Sequence, residues 1–229
     1  MSWPGEAPAT TSPATEESYR ILRSRIDLTR LPRYCRDVTE RVIHASADFD
    51  YYTDLVCDEE SLAEGIAALA AGAPVIADTA MVAAGMTGSP VICKIAEPLT
   101  QRLSRTAAIS RSAAAVRLAF GEAGPGAVWV VGGGYTALAE ILNRQVDPAF
   151  VVGLPAGFVG AAEAKDALRA SGLPAVSNVS EKGGPAVAVA AFNALLGHAV
   201  SAAGSRAGWG EAGPPAALAG LADDDGSGY

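Results

Sequence analysis

The sequence predicts an α/β protein: a mostly parallel sheet covered by helices on both faces, that is, a three-layer α/β/α sandwich. Short apolar runs alternate with Ala-rich helical segments, which is typical of strands buried on both faces. Half of the 229 residues are hydrophobic and only 18% are charged, enough for one sizeable core. The predicted strands are Val75–Ala77, Val91–Ile95, Val128–Val131, Phe150–Val152 and Ala175–Ser177.

Helices are predicted before, between and after these strands. The first two cover Glu16–Asp27 and Arg33–Ala47, separated by the helix breaker Leu31-Pro32. A third follows a cap at Asp58 or Ser61 and runs to Ala71. The later helices are an Ala-rich segment after Arg111 and the segments 135–146, 161–171 and 185–199.

One folded domain is predicted over residues 16–203. Residues 1–15 are rich in Pro, Ala, Thr and Ser, and residues 204–229 in Ala, Gly and Pro, so both ends are predicted to be disordered tails. Gly183–Ser205 carries no charge and is long enough to cross a bilayer, but it is mainly Ala and contains Asn193 and His198. We therefore expect a buried core helix and no membrane partner.

Charge and cysteine content exclude several classes of function. The chain has 17 basic and 25 acidic side chains, a formal net charge of −8, which argues against nucleic-acid binding. The three cysteines have neither metal-ligand nor disulfide spacing. We expect a protein without a metal, in a reducing compartment such as the cytoplasm.

Ligands of parallel sheets bind beyond the carboxyl ends of the strands, so the loops there are the candidate site. Gly132-Gly133-Gly134 precedes a helix and is either an anion-binding helix start or simply a tight turn. It lacks a nucleotide-binding fingerprint, which leaves a nucleotide enzyme as a remote alternative. Glu163 and Lys165, after another Gly-rich loop, can belong to the site or only to a solvated helix face. The candidate loops are Asp78–Ser89, Gly132–Tyr135, Gly153–Gly160 and Asn178–Gly184.

His44 is the leading candidate for proton transfer. It lies near the end of a predicted helix, where a protonated imidazole is favoured, and can donate or accept a proton near neutral pH. A histidine that caps the helix or is hydrogen-bonded in the core is the plain alternative, and His198 is interpreted as structural. Arg111 is either a carboxylate-binding residue or an ordinary surface arginine.

Several longer strings of the sequence go beyond these generic features. They occur in order from about Glu17 to Leu196. They are Arg41–Tyr51, Gly72–Thr79 with Met81-Val82, Ser110–Ala114, Tyr135–Leu138, Gly157–Glu163 and Lys182–Gly184.

Together these strings resemble the precorrin-8X methylmutase family, also named precorrin isomerases, of cobalamin biosynthesis. The resemblance implies a flavodoxin-like fold and a cytoplasmic homodimer without metal or cofactor. It further implies an isomerase that moves a methyl group from C11 to C12 of precorrin-8X or cobalt-precorrin-8, with His44 as proton donor or acceptor. The substrate-binding residues that it implies are Ser18, Arg41, Thr87, Arg111, Thr136 and Lys182.

The chain departs from the family pattern in three loops. Gly133 and Tyr135 replace an Asn and a Pro of the family, Glu181 replaces an Arg, and Thr87–Pro90 is a shortened form of a basic loop. These changes lie at predicted ligand-facing ends of the sheet. The alternative function is therefore a divergent relative that binds a tetrapyrrole with lost or altered isomerase activity.

Overall fold

The computed structural model describes residues 12–207, which form one six-stranded sheet and its covering helices. The strands are β1 (Leu55–Cys57), β2 (Val75–Ala77), β3 (Val91–Ile92), β4 (Val128–Val131), β5 (Phe150–Gly153) and β6 (Ala175–Asn178). The helices are α1 (Pro13–Arg25), α2 (Arg33–Ser46), α3 (Tyr51–Asp54), α4 (Glu59–Ala70), α5 (Ala80–Gly85), α6 (Pro98–Thr106), α7 (Arg111–Ala123), α8 (Tyr135–Arg144), α9 (Ala161–Ala170) and α10 (Pro185–Ala207).

The strand order is β1-β6-β5-β4-β2-β3, and every pairing is parallel except that of β1 with β6. The five parallel strands thus follow the doubly wound order of flavodoxin, with the chain reversing direction across the sheet between β2 and β4. The fold predicted from the sequence is confirmed, with an antiparallel edge strand added beside β6.

Alternate residues of each strand belong to two separate hydrophobic cores, one on each face of the sheet. Val128 and Val130 of β4 pack with α2, α4 and α10, whereas Trp129 and Val131 pack with α7, α8 and α9. This alternation follows from the two-residue repeat of a strand. It produces the three predicted layers.

The sequence prediction misses the short elements β1, α3, α5 and α6, and β3 ends at Ile92 rather than Ile95. Strand β1 and helices α3 and α5 have three, four and six residues, too few for a periodic pattern, whereas α6 has nine residues and the prediction leaves it unassigned. The predicted domain bounds and tails stay a prediction. Helix α1 begins at Pro13, where the Ser12 hydroxyl accepts a hydrogen bond from the Thr15 amide at 3.2 Å.

The rest of the predicted N-terminal tail, residues 1–11, lies outside the described residues. At the other end α10 continues to Ala207, past the predicted boundary, and residues 208–229 lie outside the described part.

Helix α10 is the single helix among residues 12–207 that is long and apolar enough, by composition, to cross a membrane. It packs instead against α2, α4 and the sheet, with Phe192 and Leu195 fully buried. This packing agrees with the prediction of a core helix.

Replacing Gly65 by Ala tests how closely α4 packs on the sheet. A Cβ at Gly65 would lie 2.7 Å from the ring of the fully buried Phe150. Overpacking of this kind costs about 1–3 kcal/mol, more than the ~1 kcal/mol that Ala gains over Gly in a helix. We expect urea denaturation to give a lower free energy of unfolding for Gly65→Ala.

The matched control is Gly121→Ala on α7, where a Cβ meets nothing within 4 Å. This variant should be about 0.5–1 kcal/mol more stable than the wild type. Equal stabilisation by both substitutions would contradict the packing described.

Candidate functional site

The candidate site lies along the carboxyl edge of the sheet, where the loops after β2, β4, β5 and β6 meet. Because β1 is antiparallel, it starts at this edge, with Leu55 opposite Asn178. The segment between α2 and β1 therefore joins the same set of loops.

His44 lies in the last turn of α2, partly buried, and its imidazole stacks on the ring of Tyr19 from α1. The ring centroids are 4.3 Å apart and the planes differ by 11°. Burial is the largest influence on the pKa of Tyr19 and raises it. The phenol that stacks on His44 is therefore uncharged at neutral pH. The stack fixes the plane of the imidazole and leaves the ring nitrogens at its edge.

Arg41, one turn before His44, lines two adjoining grooves. The first, of about 580 Å³, is also lined by Tyr19 and His198, and the second, of about 490 Å³, is also lined by Thr87. His44 itself lines neither groove. His198 lies 3.0 Å from an Asp37 carboxylate oxygen.

Arg111 and Thr136 lie on the other face of the sheet, in the first turns of α7 and α8. Ser110 caps α7 by accepting a hydrogen bond from the Ala113 amide at 3.0 Å. A Cβ at Gly134 would be 3.9 Å from the hydroxyls of both Ser112 and Thr136, so the two helix starts are neighbours. Thus the predicted substrate-binding residues form two groups, one on each side of the sheet edge.

The Gly132–Gly134 turn is already occupied by an anion from the chain itself. Asp78, which follows β2 and is almost fully buried, accepts hydrogen bonds from the amides of Gly132 (3.2 Å), Gly133 (2.8 Å) and Gly134 (3.3 Å). Burial raises the pKa of Asp78, and these amides oppose that rise. Of the two alternatives from the sequence, an anion-binding helix start and a tight turn, the structure therefore favours the tight turn. It lies at the point where flavodoxin-like sheets commonly bind a ligand.

Lys182 also differs from the expectation of a cation free to bind substrate. Its ammonium donates to Asp48 at 2.7 Å and to Asp50 at 2.6 Å. Hydrogen bonds to these carboxylates raise the pKa of Lys182 above its usual range. A substrate carboxylate would have to compete with both. Ser18, the remaining predicted binding residue, is exposed on α1 next to Tyr19.

Sequence reasoning missed one buried polar cluster. Lys165 lies fully buried rather than on a solvated face, and its ammonium contacts Asn178 and the loop after β6, whereas Glu163 is exposed. Burial, the main cause, lowers the pKa of Lys165 to about 8. One signal was present in the sequence, because Lys165 falls on the apolar stripe of Ala161, Ala164 and Leu168 at helical spacing.

No group of three or more His, Cys, Asp or Glu side chains within residues 12–207 is arranged to hold a metal ion. The expectation that no cofactor is needed stays a prediction.

Fold and site together define a flavodoxin-like α/β protein with a histidine beside an open, arginine-bearing sheet edge. The family model for precorrin-8X methylmutase matches residues 14–198. The chain belongs to the precorrin-8X methylmutase family, whose members are isomerases of cobalamin biosynthesis.

Individual relatives agree with this assignment. The chain is 37% identical over 166 residues to the cobalt-precorrin-8 methylmutase of Methanocaldococcus jannaschii, covering 71% of this chain and 79% of that protein. It is also 37% identical over 192 residues to the precorrin-8X methylmutase of a Sinorhizobium species, covering 79% of this chain and 91% of that protein. The crystal structure of the Thermus thermophilus precorrin-8X methylmutase superposes with a TM-score of 0.75 at 32% identity, covering 82% of this chain and 96% of that one.

Asp78→Asn tests whether the buried carboxylate holds the glycine turn. An amide there turns an NH₂ group toward at least one of three backbone N–H donors and leaves it without a partner. Although the amide escapes the cost of burying a charge, we expect a net loss of about 1–3 kcal/mol in the free energy of unfolding. Chemical denaturation measures it.

Asp147→Asn is the control, because Asp147 is exposed with φ near 50°, a conformation that Asn also tolerates. It should change stability by less than about 0.5 kcal/mol. The turn does not depend on Asp78 if the two variants are equally stable.

Proposed function

We propose that this protein is a precorrin-8X or cobalt-precorrin-8 methylmutase that moves a methyl group from C11 to C12 of the ring, with His44 as the proton donor and acceptor. The observation that carries the proposal is the position of His44. It lies at the end of α2, beside the carboxyl edge of the sheet, with its plane fixed by Tyr19.

The reaction requires mainly a well-positioned general acid. The bond from the methyl group to C11 breaks and a bond to C12 forms, so the reaction is an isomerisation without net gain of atoms. Protonation of the conjugated ring assists the migration, and His44 then recovers the proton. A neutral phenol on one face of the imidazole orients it without competing for that proton.

Recognition of an anionic ring requires cations concentrated locally, because the chain as a whole is acidic. Arg41 and Thr87 line one groove on the His44 side, and Arg111 and Thr136 lie on the other side of the edge. Arginine and hydroxyl groups suit the carboxylates at the rim of such a ring. We propose that the substrate lies across the edge between these two groups.

We also propose a homodimer acting in the cytoplasm. Phe158 is 95% exposed and Val159 76% exposed in the loop between β5 and α9. An apolar tip of this kind suits contact with the face of the macrocycle or with a second copy of the chain.

The second candidate is a relative that binds the ring without isomerising it. It is favoured by the loop after β6, residues 178–184, where Lys182 is neutralised by two carboxylates and Glu181 is exposed. This loop offers no free cation to a substrate. A nucleotide enzyme is disfavoured, since Asp78 takes up the amides that a phosphate would need.

His44→Ala tests the proposed role directly. With purified protein and ring substrate, methyl migration changes the conjugation and hence the visible absorption. We expect turnover to fall by at least ~100-fold, the usual contribution of a general acid, while product binding changes less than about threefold.

His198→Gln removes the other histidine and should keep turnover within about threefold of the wild type. Undiminished turnover in His44→Ala would sink the proposed mechanism. Tight ring binding by the wild type without product above the protein-free control would instead favour the second candidate.

Arg41→Met and Arg111→Met test the two binding groups. Each removes a charge-assisted contact worth about 1.5–3 kcal/mol, so we expect KM to rise roughly 10- to 100-fold with kcat less affected. Arg105→Met, an exposed arginine in the last turn of α6, is the matched control. If steady-state kinetics give Arg111→Met the same KM as Arg105→Met, the start of α7 is not part of the binding site.

A further inference from the structure

The ammonium of Lys165 is a fully buried charge that the proposed mechanism does not use. It donates to the side-chain oxygen of Asn178 at 2.8 Å and to the backbone carbonyls of Ser180 at 2.5 Å and Lys182 at 2.8 Å. An ammonium has three N–H donors, and all three are engaged. Two of the acceptors are loop backbone, so Lys165 fixes the course of the chain after β6.

Asp54 fixes the same loop from the opposite side. Its carboxylate accepts from the Asn178 amide group at 2.8 Å, from the Ser180 backbone amide at 2.7 Å and from the Ser180 hydroxyl at 2.8 Å. Asn178 therefore bridges the buried cation and the anion. The loop is held between two opposite charges.

The loop is in turn tied to the helix that carries His44. Lys182 reaches Asp48 and Asp50 with its side chain, while its carbonyl is held by Lys165. The Asp48 amide donates to the hydroxyl of Ser46, the last residue of α2, at 3.3 Å. His44 lies two residues before Ser46. A continuous set of polar contacts thus runs from α9 to the end of α2.

We propose that Lys165 is a positioning residue for His44: it orders the loop after β6 and, through Lys182 and Asp48, holds the last turn of α2 in place. The consequence for catalysis rests on the proposed function, but the consequence for the geometry of His44 does not. Lys165 touches no substrate in this account and acts through the loop.

The positive charge itself is required, because a neutral amine has two N–H donors for three acceptors. The charged groups that face it are Asp54, Arg169 and Glu181, and burial lowers the pKa of Lys165 to about 8. The loop should therefore loosen as the pH rises through about 8.

The effect on global stability has the opposite sign. The folded-state pKa lies below the usual value of 10.5, so between about pH 8 and 10.5 the unfolded chain binds more protons than the folded one. In that window the contribution of Lys165 to the free energy of unfolding increases with pH. Loosening of the loop is therefore distinguishable from unfolding.

The test is the NMR signal of the His44 imidazole in the free protein, which needs no substrate or activity. Lys165→Met and Lys182→Met should both shift it. Lys94→Met, which removes an ammonium paired with Glu97 and Glu122 near the far edge of the sheet, should leave it unchanged. An unshifted His44 signal in folded Lys165→Met overturns the proposal.

Kinetics provide the second measurement where turnover is present. A small misplacement of a catalytic acid lowers the rate of the chemical step and has little effect on binding. Lys165→Met and Lys182→Met should therefore each lower kcat by about 10- to 100-fold with product affinity little changed. The double variant should lose no more than the worse single variant, because both act through one path. A double variant whose loss in kcat equals the product of the two single losses would overturn the proposal.

If Lys165→Met does not fold, the wild-type pH titration decides. The His44 signal should show an inflection near pH 8 that is absent in Lys182→Met, where the link is cut. A wild-type titration without that inflection overturns the proposal.

Discussion

Where parallel strands end, the backbone groups of the following loops lose their ladder partners and must find others. In this protein charged side chains supply them: Asp78 and Lys165, which are buried, and Asp54, which is partly buried. Asp78 accepts three consecutive amides after β4, Asp54 accepts amides after β6, and Lys165 donates to two carbonyls of the same loop. The carboxyl edge of the sheet is ordered by charged side chains rather than by further secondary structure.

This constraint decides which groups remain for a ligand. The amides of the glycine turn and the ammonium of Lys182 are already engaged, although both look like anion sites in the sequence. Arg41 and Arg111 are exposed on opposite sides of the edge, with His44 in the last turn of α2. An acidic protein can therefore present a few localised cations to an anionic ring.

The layers, the parallel strands and their order in the chain were predictable because long helices and buried strands leave periodic apolar patterns. His44, Arg111 and Thr136 were also predictable in place, at helix ends beside the sheet edge. Asp54 was not, because its partners lie more than 120 residues away along the chain. The burial of Lys165 was visible in the spacing of α9, but a lysine on an apolar stripe is easily assigned to solvent. The pairing of Asp78 with the glycine turn depends on the strand order, which local patterns do not encode.

A crystal structure with the rearranged ring bound tests the account most directly. We expect the ring across the carboxyl edge, with a His44 nitrogen within hydrogen-bond distance of it and its carboxylates contacting Arg41 on one side and Arg111 on the other. A second copy of the chain covering the ring would fit the exposed tip at Phe158. A ring confined to the grooves along α10, without contact to His44 or to the starts of α7 and α8, would contradict the account.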